Sequence, residues 1–200
     1  MLMELYYNVD VIEIGLDEAG RGPLLGNVYA SAVIWPKDLI PPKGVIKDSK
    51  KLSTAKRKIS LEWIKNNIEH YSIGFATNIE IDEINILEAT KLAMQRAIDK
   101  LNIKTDYLLI DGTNWENKFL NYKVKSIVKG DNKYYSIAAA SILAKESHDE
   151  HILELCKNDV SLINNYSLNT NMGYGTKNHI DGIKKYGYTI HHRKSFNIKK

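Results

Sequence analysis

The chain has 200 residues, of which 44% are hydrophobic and 26% are charged, a composition typical of a globular domain with a full apolar core. Its net charge of +4 gives only mild support for a polyanionic partner. The single cysteine, Cys156, excludes an internal disulfide framework and favours a reducing compartment. Because the sequence shows neither a signal-peptide pattern nor an apolar stretch of about 18 residues, we expect a cytoplasmic protein that does not enter a membrane.

Strand and helix patterns alternate along the chain without an internal repeat, which is typical of an α/β layer fold. Two apolar runs, 11–16 and 28–35, flank a glycine-rich turn and predict two strands. A helix is predicted next, because four apolar residues recur at helical spacing around a capping Ser53. These residues are Leu52, Ala55, Ile59 and Trp63. The alternating segment 71–75 predicts a third strand.

The alternation continues in the second half of the chain. A helix is predicted over 82–101, where five apolar residues fit one helical face. They are Ile84, Leu87, Met94, Ile98 and Leu101. The apolar runs 107–110 and 124–128 predict two more strands, and the alanine-rich segment 134–157 predicts a helix that packs closely on the sheet. Residues 158–178 lack clear periodicity, and we expect a linker or a mobile loop there.

Carboxylates follow three of the predicted strands. Asp17 and Glu18 come directly after the first, Asp111 after the fourth, and Asp131 shortly after the fifth. Taken singly, each has a plainer explanation: an acidic strand end, a turn, or a helix cap at Asp131. Because sites in α/β folds gather at strand ends, all three together favour a metal site. The glycine-rich turn after Glu18 adds free backbone N–H groups, which suit a phosphodiester substrate.

Short motifs surround these acids in a fixed order. They are GLDEAGRGPL at 15–24, DSKKLS at 48–53, NILEAT at 85–90, LAMQRA at 92–97, IDG at 110–112, KGD at 129–131, AAASILAK at 138–145, GYGT at 173–176 and HRKSF at 192–196. This series covers nearly the whole chain and resembles the ribonuclease HII family. Arg21 between two glycines favours type HII over the related type HIII.

The resemblance implies an RNase H-like α/β fold, in which a mixed central β-sheet is flanked by helices and followed by a helical C-terminal region. We expect residues 1–157 to form the catalytic domain. Residues 158–200 would form the C-terminal loop and a helical substrate-binding region. We also expect a monomer whose partners are RNA/DNA hybrids and ribonucleotide-containing duplex DNA.

The resemblance further implies four residues that are both catalytic and metal-binding: Asp17, Glu18, Asp111 and Asp131. Their crowding makes physical sense if cations neutralise their mutual repulsion, and Mg²⁺ or Mn²⁺ suits a site built of oxygen ligands. Two metals about 3.5 to 4 Å apart would activate a water and stabilise the departing oxygen. The implied endonuclease hydrolyses the RNA strand of hybrids and incises 5′ of ribonucleotides embedded in DNA, leaving 5′-phosphates.

The six predicted substrate-binding residues are Gly20, Arg21, Gly22, Ser49, Lys50 and Tyr174, of which the resemblance implies the three turn residues and Tyr174. The turn backbone would contact the ribonucleotide and Tyr174 would pack on its sugar. Ser49, Lys50 and Lys51 are candidates for phosphate contacts, although a Lys-Lys pair is more often only a solvated surface. Arg193 and Lys194 are further candidates for phosphate contacts, although such residues are often only a solvated surface.

Two alternatives to this function stay open. One is a nuclease of the same fold that does not require a ribonucleotide, and the other is a non-catalytic module that only binds nucleic acid. The sequence leaves the physiological metal, the preference between single ribonucleotides and long hybrids, and the role of Asp149 undecided.

Overall fold

The computed structural model describes residues 3–105 and 107–198. Five strands in this part of the chain form one sheet. They are β1 (Glu13–Ala19), β2 (Val28–Val33), β3 (Tyr71–Ala76), β4 (Tyr107–Asp111) and β5 (Lys123–Ile127). Their order is β3-β2-β1-β4-β5, with antiparallel pairs between β1, β2 and β3 and parallel pairs between β1, β4 and β5. The predicted mixed sheet is confirmed.

Helices cover both faces of this sheet. They are α1 (Thr54–Asn67), α2 (Asn78–Leu101), α3 (Tyr135–Asn158), α4 (Ser161–Tyr166), α5 (Leu168–Asn171) and α6 (Lys177–Tyr186). α2 packs on the face that carries Ile14 and Leu16. α3 packs on the opposite face, so closely that a Cβ on Gly15 would lie 2.5 Å from the Cβ of Ser136. Because alternate strand residues share a face, Asp17 lies on the α3 side with Gly15.

The first strand begins and ends later than its apolar pattern predicts. Residues 11–12 are exposed and precede β1. At its other end, pairing with β2 continues as far as Ala19, which lies opposite Tyr29. Asp17 and Glu18 therefore lie within the strand, and the prediction that it ends before them was wrong. The apolar pattern ends at Asp17 because Asp17 and Glu18 are polar. The backbone pairing with β2 nevertheless continues through both residues.

The helix predicted around Ser53 is present as α1, with Ser53 as its N-cap accepting a backbone N–H at 3.4 Å. Its buried face differs from the predicted one, since Ile59 is 64% exposed while Arg57 and Ile64 are buried. The cause is an ion pair between Arg57 and Glu146 of α3, which turns the Arg57 face towards the interior.

α2 begins earlier than predicted, at a capping box formed by Thr77 and Glu80. It is not one straight helix, because Asn85 has a φ of 68° and bends it. Ile84 and Leu87, on either side of the bend, are 37% and 38% exposed. The prediction that they share one buried face with the later apolar residues was therefore wrong.

Residues 158–178 are not the predicted linker or mobile loop. They contain α4, α5 and the start of α6. Leu162 and Leu168 are buried in one apolar cluster with Ile152 of α3 and Ile183 of α6. The helices are so short that no periodicity is visible in the sequence. The helical C-terminal region is confirmed, and its division from the catalytic domain at 157–158 stays a prediction. Within the described ranges, every helix is too short or too polar to cross a bilayer.

Candidate active site

The four predicted acids come together at one end of the central strands. Asp17 and Asp111 lie directly beyond the last paired residues of the parallel β1–β4 pair, which places them side by side. The loop after β5 is held to them because the N–H of Gly130 donates to Oδ1 of Asp111 at 2.6 Å. Asp131 follows Gly130 in a 3-10 turn and is buried. Glu18 points to the other side of β1 and is half-buried.

Burial and, after it, mutual repulsion raise pKa values in this acidic cluster, defined as Asp17, Glu18, Asp111 and Asp131. Burial raises the pKa of Asp17 well above its usual value, and the charges of Glu18 and Asp111 raise it further. Burial also raises the pKa of Asp131, as do the charges of Asp111 and Asp48. The positive charge that the protein places near the acidic cluster is therefore too small to neutralise its carboxylates.

Two cations of the chain partly offset this repulsion. Burial raises the pKa of Glu18, although Arg21, whose Nη1 lies 3.0 Å from Glu18 Oε1, acts to lower it. Burial by itself would lower the pKa of Lys50, but the surrounding carboxylates, Asp17 and Asp131 foremost, raise it overall. Lys50 therefore lies with its ammonium facing the cluster.

The residues present fit a hard divalent cation by donor type and charge. Glu18 Oε2 is buried without a hydrogen-bond partner among the described residues, and the cluster supplies carboxylate oxygens, the ligands that Mg²⁺ and Mn²⁺ prefer. In residues 3–105 and 107–198, no three such side chains already converge as a finished metal cage. Several of the carboxylate oxygens accept hydrogen bonds from the protein instead. Asp17 Oδ1 accepts the Glu18 N–H at 2.7 Å, and Asp131 Oδ1 accepts from Asn132 Nδ2 at 2.8 Å.

The glycine-rich turn and Tyr174 form one surface next to the cluster. Gly20 has a φ of 87°, which only glycine adopts easily, and Arg21 and Gly22 are exposed. A Cβ on Gly22 would lie 3.5 Å from Cε1 of Tyr174. The Tyr174 ring is 40% exposed, and the Lys145 ammonium lies 5.6 Å from its centroid. The turn, the exposed ring and the acids are thus contiguous, with the Arg21–Glu18 contact as the link.

Comparison with known proteins identifies the family. Residues 14–199 match the family model described as Ribonuclease HII. The chain belongs to the ribonuclease HII family. Ribonuclease HII of Pelagibacter ubique is 48% identical over 182 residues, which cover 91% of this chain and 94% of that protein. Ribonuclease HII of Phocaeicola vulgatus is 46% identical over 193 residues, which cover 96% and 92%.

A solved structure of the PCNA:RNase HII complex from Archaeoglobus fulgidus shares the fold, with a TM-score of 0.77 at 23% identity over 95% of this chain and 97% of that one. The predicted family, RNase H-like fold and enzyme class, a ribonuclease H endonuclease, are confirmed. Ribonuclease HII is a metal-dependent family, which agrees with the acidic cluster of this member.

Two of the ribonuclease HII motif residues lie differently from expectation. Ser49 is buried and its hydroxyl is 2.8 Å from that of Ser141 on α3, so the hydroxyl does not face solvent. Arg193 is fully buried, and the expectation that it contacts phosphate was wrong. Its side chain instead lies beneath the glycine-rich turn.

Asp48 and Asn132 are neighbours of the acidic cluster that were not among the predicted site residues. Asn132 Nδ2 lies 3.3 Å from Asp48 Oδ2, and Asp48 caps the 3-10 turn Ser49–Lys51 by accepting the Lys50 N–H at 2.9 Å. The signal was present, because Asp48 opens the DSKKLS motif. The alternative that Asp131 caps α3 is excluded, since the N-cap of α3 is Tyr134 and Asp131 lies three residues earlier.

A buried ion network behind the site also escaped sequence reasoning. Arg57 of α1 pairs with Glu146 and, at 3.3 Å, with Asp149, both on α3. Asp149 also binds Lys145 at 2.7 Å and His148 at 3.0 Å. Residues that are 89 and 92 positions apart form these pairs, so no local pattern reveals them. Asp149 is thereby engaged with cations of the protein.

Proposed function

We propose that this ribonuclease HII family member hydrolyses the RNA strand of RNA/DNA hybrids and incises 5′ of single ribonucleotides in duplex DNA. The observation that supports this most directly is the contiguity of the acidic cluster with the Gly20–Gly22 turn and Tyr174. Acids alone would suit any metal-dependent nuclease. A second element beside them, able to contact a sugar, is what a ribonuclease needs to distinguish RNA from DNA.

The proposed metal ligands are Asp17, Glu18, Asp111 and Asp131, and the proposed ion is Mg²⁺ or Mn²⁺. When bound, the ions would supply Lewis-acid stabilisation of charge at phosphorus and a nucleophilic water. The protein holds the ligands ready for this. Asp111 is oriented by the Gly130 N–H and Asp131 by Asn132, so neither carboxylate has to be reorganised fully on binding.

The proposed roles of the remaining residues follow from their charge and exposure. Lys50 is exposed and lies at the cluster, where its ammonium attracts the scissile phosphate into a site that is otherwise anionic. Ser49 anchors that segment through Ser141. The exposed backbone of Arg21 and Gly22 offers polar groups to the 2′-hydroxyl, which is both a donor and an acceptor. The buried Gly20 supplies the left-handed bend of this turn.

Tyr174 offers an aromatic face to the sugar beside this turn. Its partial exposure and its distance from Gly22 agree with a ring that packs on a nucleotide lying across the turn. The partners we propose are RNA/DNA hybrids and ribonucleotide-containing duplex DNA. We propose in addition that the protein acts as a monomer in the cytoplasm.

A substrate panel tests the proposed function. An RNA/DNA hybrid, a duplex with one ribonucleotide and an all-DNA duplex are each incubated with Mg²⁺ or Mn²⁺ and either wild type or Asp131→Asn. The matched control is Asp10→Asn, which changes an exposed acid outside the cluster. We expect wild type and the control to cut the first two substrates only, and Asp131→Asn to cut none.

Each competing function predicts a different result. Cutting of the all-DNA duplex would favour a nuclease without ribonucleotide specificity. Binding of all three duplexes without cleavage in either metal would favour the non-catalytic module.

A further inference from the structure

Arg193 is a fully buried cation whose partners are main-chain carbonyls. Its five N–H groups donate to five carbonyl oxygens at 2.6 to 3.1 Å, those of Gly20, Arg21, Pro23, Gly26 and Asn27. A guanidinium has five N–H donors, so every one is used. Within the described ranges, no carboxylate lies at ion-pair distance from it. Burial lowers the pKa of Arg193 to about 10, so it stays charged at neutral pH.

These carbonyl contacts decide where the turn presents its N–H groups. In a trans peptide the C=O and the following N–H point in opposite directions. The carbonyls of Gly20 and Arg21 point inward to the guanidinium, so the N–H groups of Arg21 and Gly22 point away from it. Neither N–H has a protein acceptor in the described part of the chain. The buried cation thus displays two free donors on the turn.

His192, the residue before Arg193, is also fully buried and connects to Tyr174. The Thr189 N–H donates to His192 Nδ1 at 2.9 Å, so the proton of His192 is on Nε2. That Nε2 donates to Nε2 of His179 at 3.1 Å, and His179 Nδ1 donates to the carbonyl of Tyr174 at 3.0 Å. Only neutral imidazoles in these tautomers satisfy all three bonds.

Backbone hydrogen bonds connect the Arg193 contacts beneath the turn with the hydrogen bonds that run from His192 through His179 to Tyr174. The N–H of Arg193 donates to the Leu24 carbonyl at 2.9 Å, and the N–H of Leu24 donates to the Gly173 carbonyl at 2.8 Å. The segment that carries His192 and Arg193 therefore contacts the turn on one side. Through His179 it holds the backbone of Tyr174 on the other.

We propose that His192 and Arg193 are positioning residues that set the ribonucleotide-sensing surface, Arg193 through the Gly20–Gly22 turn and His192 through Tyr174. This inference rests on the proposed function, which assigns sugar contact to that turn and that ring. Neither residue touches substrate, because both side chains are fully buried. Two consecutive buried residues near the C-terminus thus determine specificity for the 2′-hydroxyl, because they position the turn and Tyr174.

Three variants test the contact of Arg193 with the turn separately from the contact of His192 with His179. Arg193→Lys keeps the charge and the burial but has three donors for five carbonyls. His192→Phe removes the donor to His179, whereas His192→Gln places an amide N–H near the position of Nε2 and should restore it. The matched control is His191→Gln, because the side chain of His191 makes no hydrogen bond among the described residues and is partly exposed.

The first readout does not depend on activity. Amide hydrogen exchange is measured for Leu24 and Gly26, whose N–H groups are bonded to the Gly173 and His191 carbonyls. We expect Arg193→Lys to exchange at these amides at least about tenfold faster than wild type, which corresponds to the loss of about one good hydrogen bond. Unchanged exchange would overturn the role of Arg193 regardless of any enzymatic result.

The second readout is discrimination. The Kd of a duplex with one ribonucleotide and of the same all-DNA duplex is measured without metal, and KM and kcat are measured with Mn²⁺. We expect Arg193→Lys and His192→Phe to reduce the preference for the ribonucleotide by about tenfold or more, and His192→Gln to recover most of it. A purely structural role would lower the active fraction and leave Kd ratios and KM unchanged.

The outcomes distinguish this inference from the proposed function. If wild type shows no preference for the ribonucleotide, the proposed function is overturned. If wild type discriminates and both disruptive variants keep that preference, the positioning role is overturned. If Arg193→Lys and His192→Phe both fail to fold, these residues belong to the scaffold alone, which also overturns the positioning role.

Discussion

Asp17 and Asp111 lie side by side at the ends of two parallel strands, and the charge of Asp111 raises the pKa of the buried Asp17. Two carboxylates in this position repel each other in the folded chain and much less in the unfolded one. The fold therefore carries a local electrostatic strain at the site where it would bind a cation.

Asp111→Asn should stabilise the metal-free protein while greatly weakening its stabilisation by metal. Asparagine can still accept the Gly130 N–H, so only the charge is lost. We expect the free energy of unfolding in EDTA to rise by about 1 kcal/mol, as measured by urea denaturation. Saturating Mn²⁺ should raise the stability of wild type by about 2 to 3 kcal/mol at a hundred times its Kd, and that of the variant much less. A variant that is less stable than wild type in EDTA would show that repulsion between Asp17 and Asp111 does not destabilise the metal-free fold.

Arg57→Met should be strongly destabilising, since it leaves the carboxylate of Glu146 buried without its cation. Removing one partner of a buried pair costs about 3 to 5 kcal/mol, to be measured by urea denaturation. The control is Lys157→Met in the exposed pair with Glu154, where we expect less than about 1 kcal/mol. Similar losses in both variants would show that the Arg57 network contributes no more than a surface pair.

Stability should fall on acidification because of His192. Burial, assisted by the ionisable His179 beside it, lowers the pKa of His192 to about 4 from 6.5. Between these values the unfolded chain binds a proton that the folded chain does not, so stability present above pH 6.5 is lost as the pH falls towards 4. His192→Gln should lose about 2 kcal/mol less than wild type between pH 6.5 and 5 in urea denaturation. Parallel pH profiles would show that His192 does not titrate in this way.

Tyr174→Ala should reduce kcat/KM on a duplex with one ribonucleotide by about tenfold or more, because the aromatic face next to Gly22 is lost. Tyr174→Phe keeps the ring and should stay close to wild type. Tyr186→Ala, which removes another exposed tyrosine, serves as the control. If the phenylalanine variant is as impaired as the alanine variant, the hydroxyl rather than the ring carries the effect.

The sequence revealed the parts of the site that depend on local patterns. Asp17 and Asp111 follow apolar runs, and the ends of parallel strands meet at one edge, so their proximity was predictable. The turn at Gly20 was likewise visible, because two glycines and a proline directly after a strand indicate a tight turn.

The sequence could not reveal contacts between distant segments. Arg193 stands among basic residues near the C-terminus and has the pattern of a solvated surface, yet it contacts carbonyls 166 to 173 positions earlier in the chain. The exposed Ile59 has the same origin, since an ion pair between α1 and α3 outweighed the apolar periodicity of α1. Tertiary pairing overrode the local pattern in both cases.

The position of incision in a labelled duplex that contains one ribonucleotide, read at nucleotide resolution in Mg²⁺ and in Mn²⁺, decides whether the acidic cluster and the turn act together on RNA. The same duplex with a 2′-deoxy nucleotide at that position is run beside it, with Asp111→Asn in parallel. We predict incision 5′ of the ribonucleotide by wild type only, with none in the deoxy duplex. Equal cutting of the two duplexes would show that the protein does not recognise the ribonucleotide, and incision that persists in Asp111→Asn would show that the acidic cluster does not catalyse it.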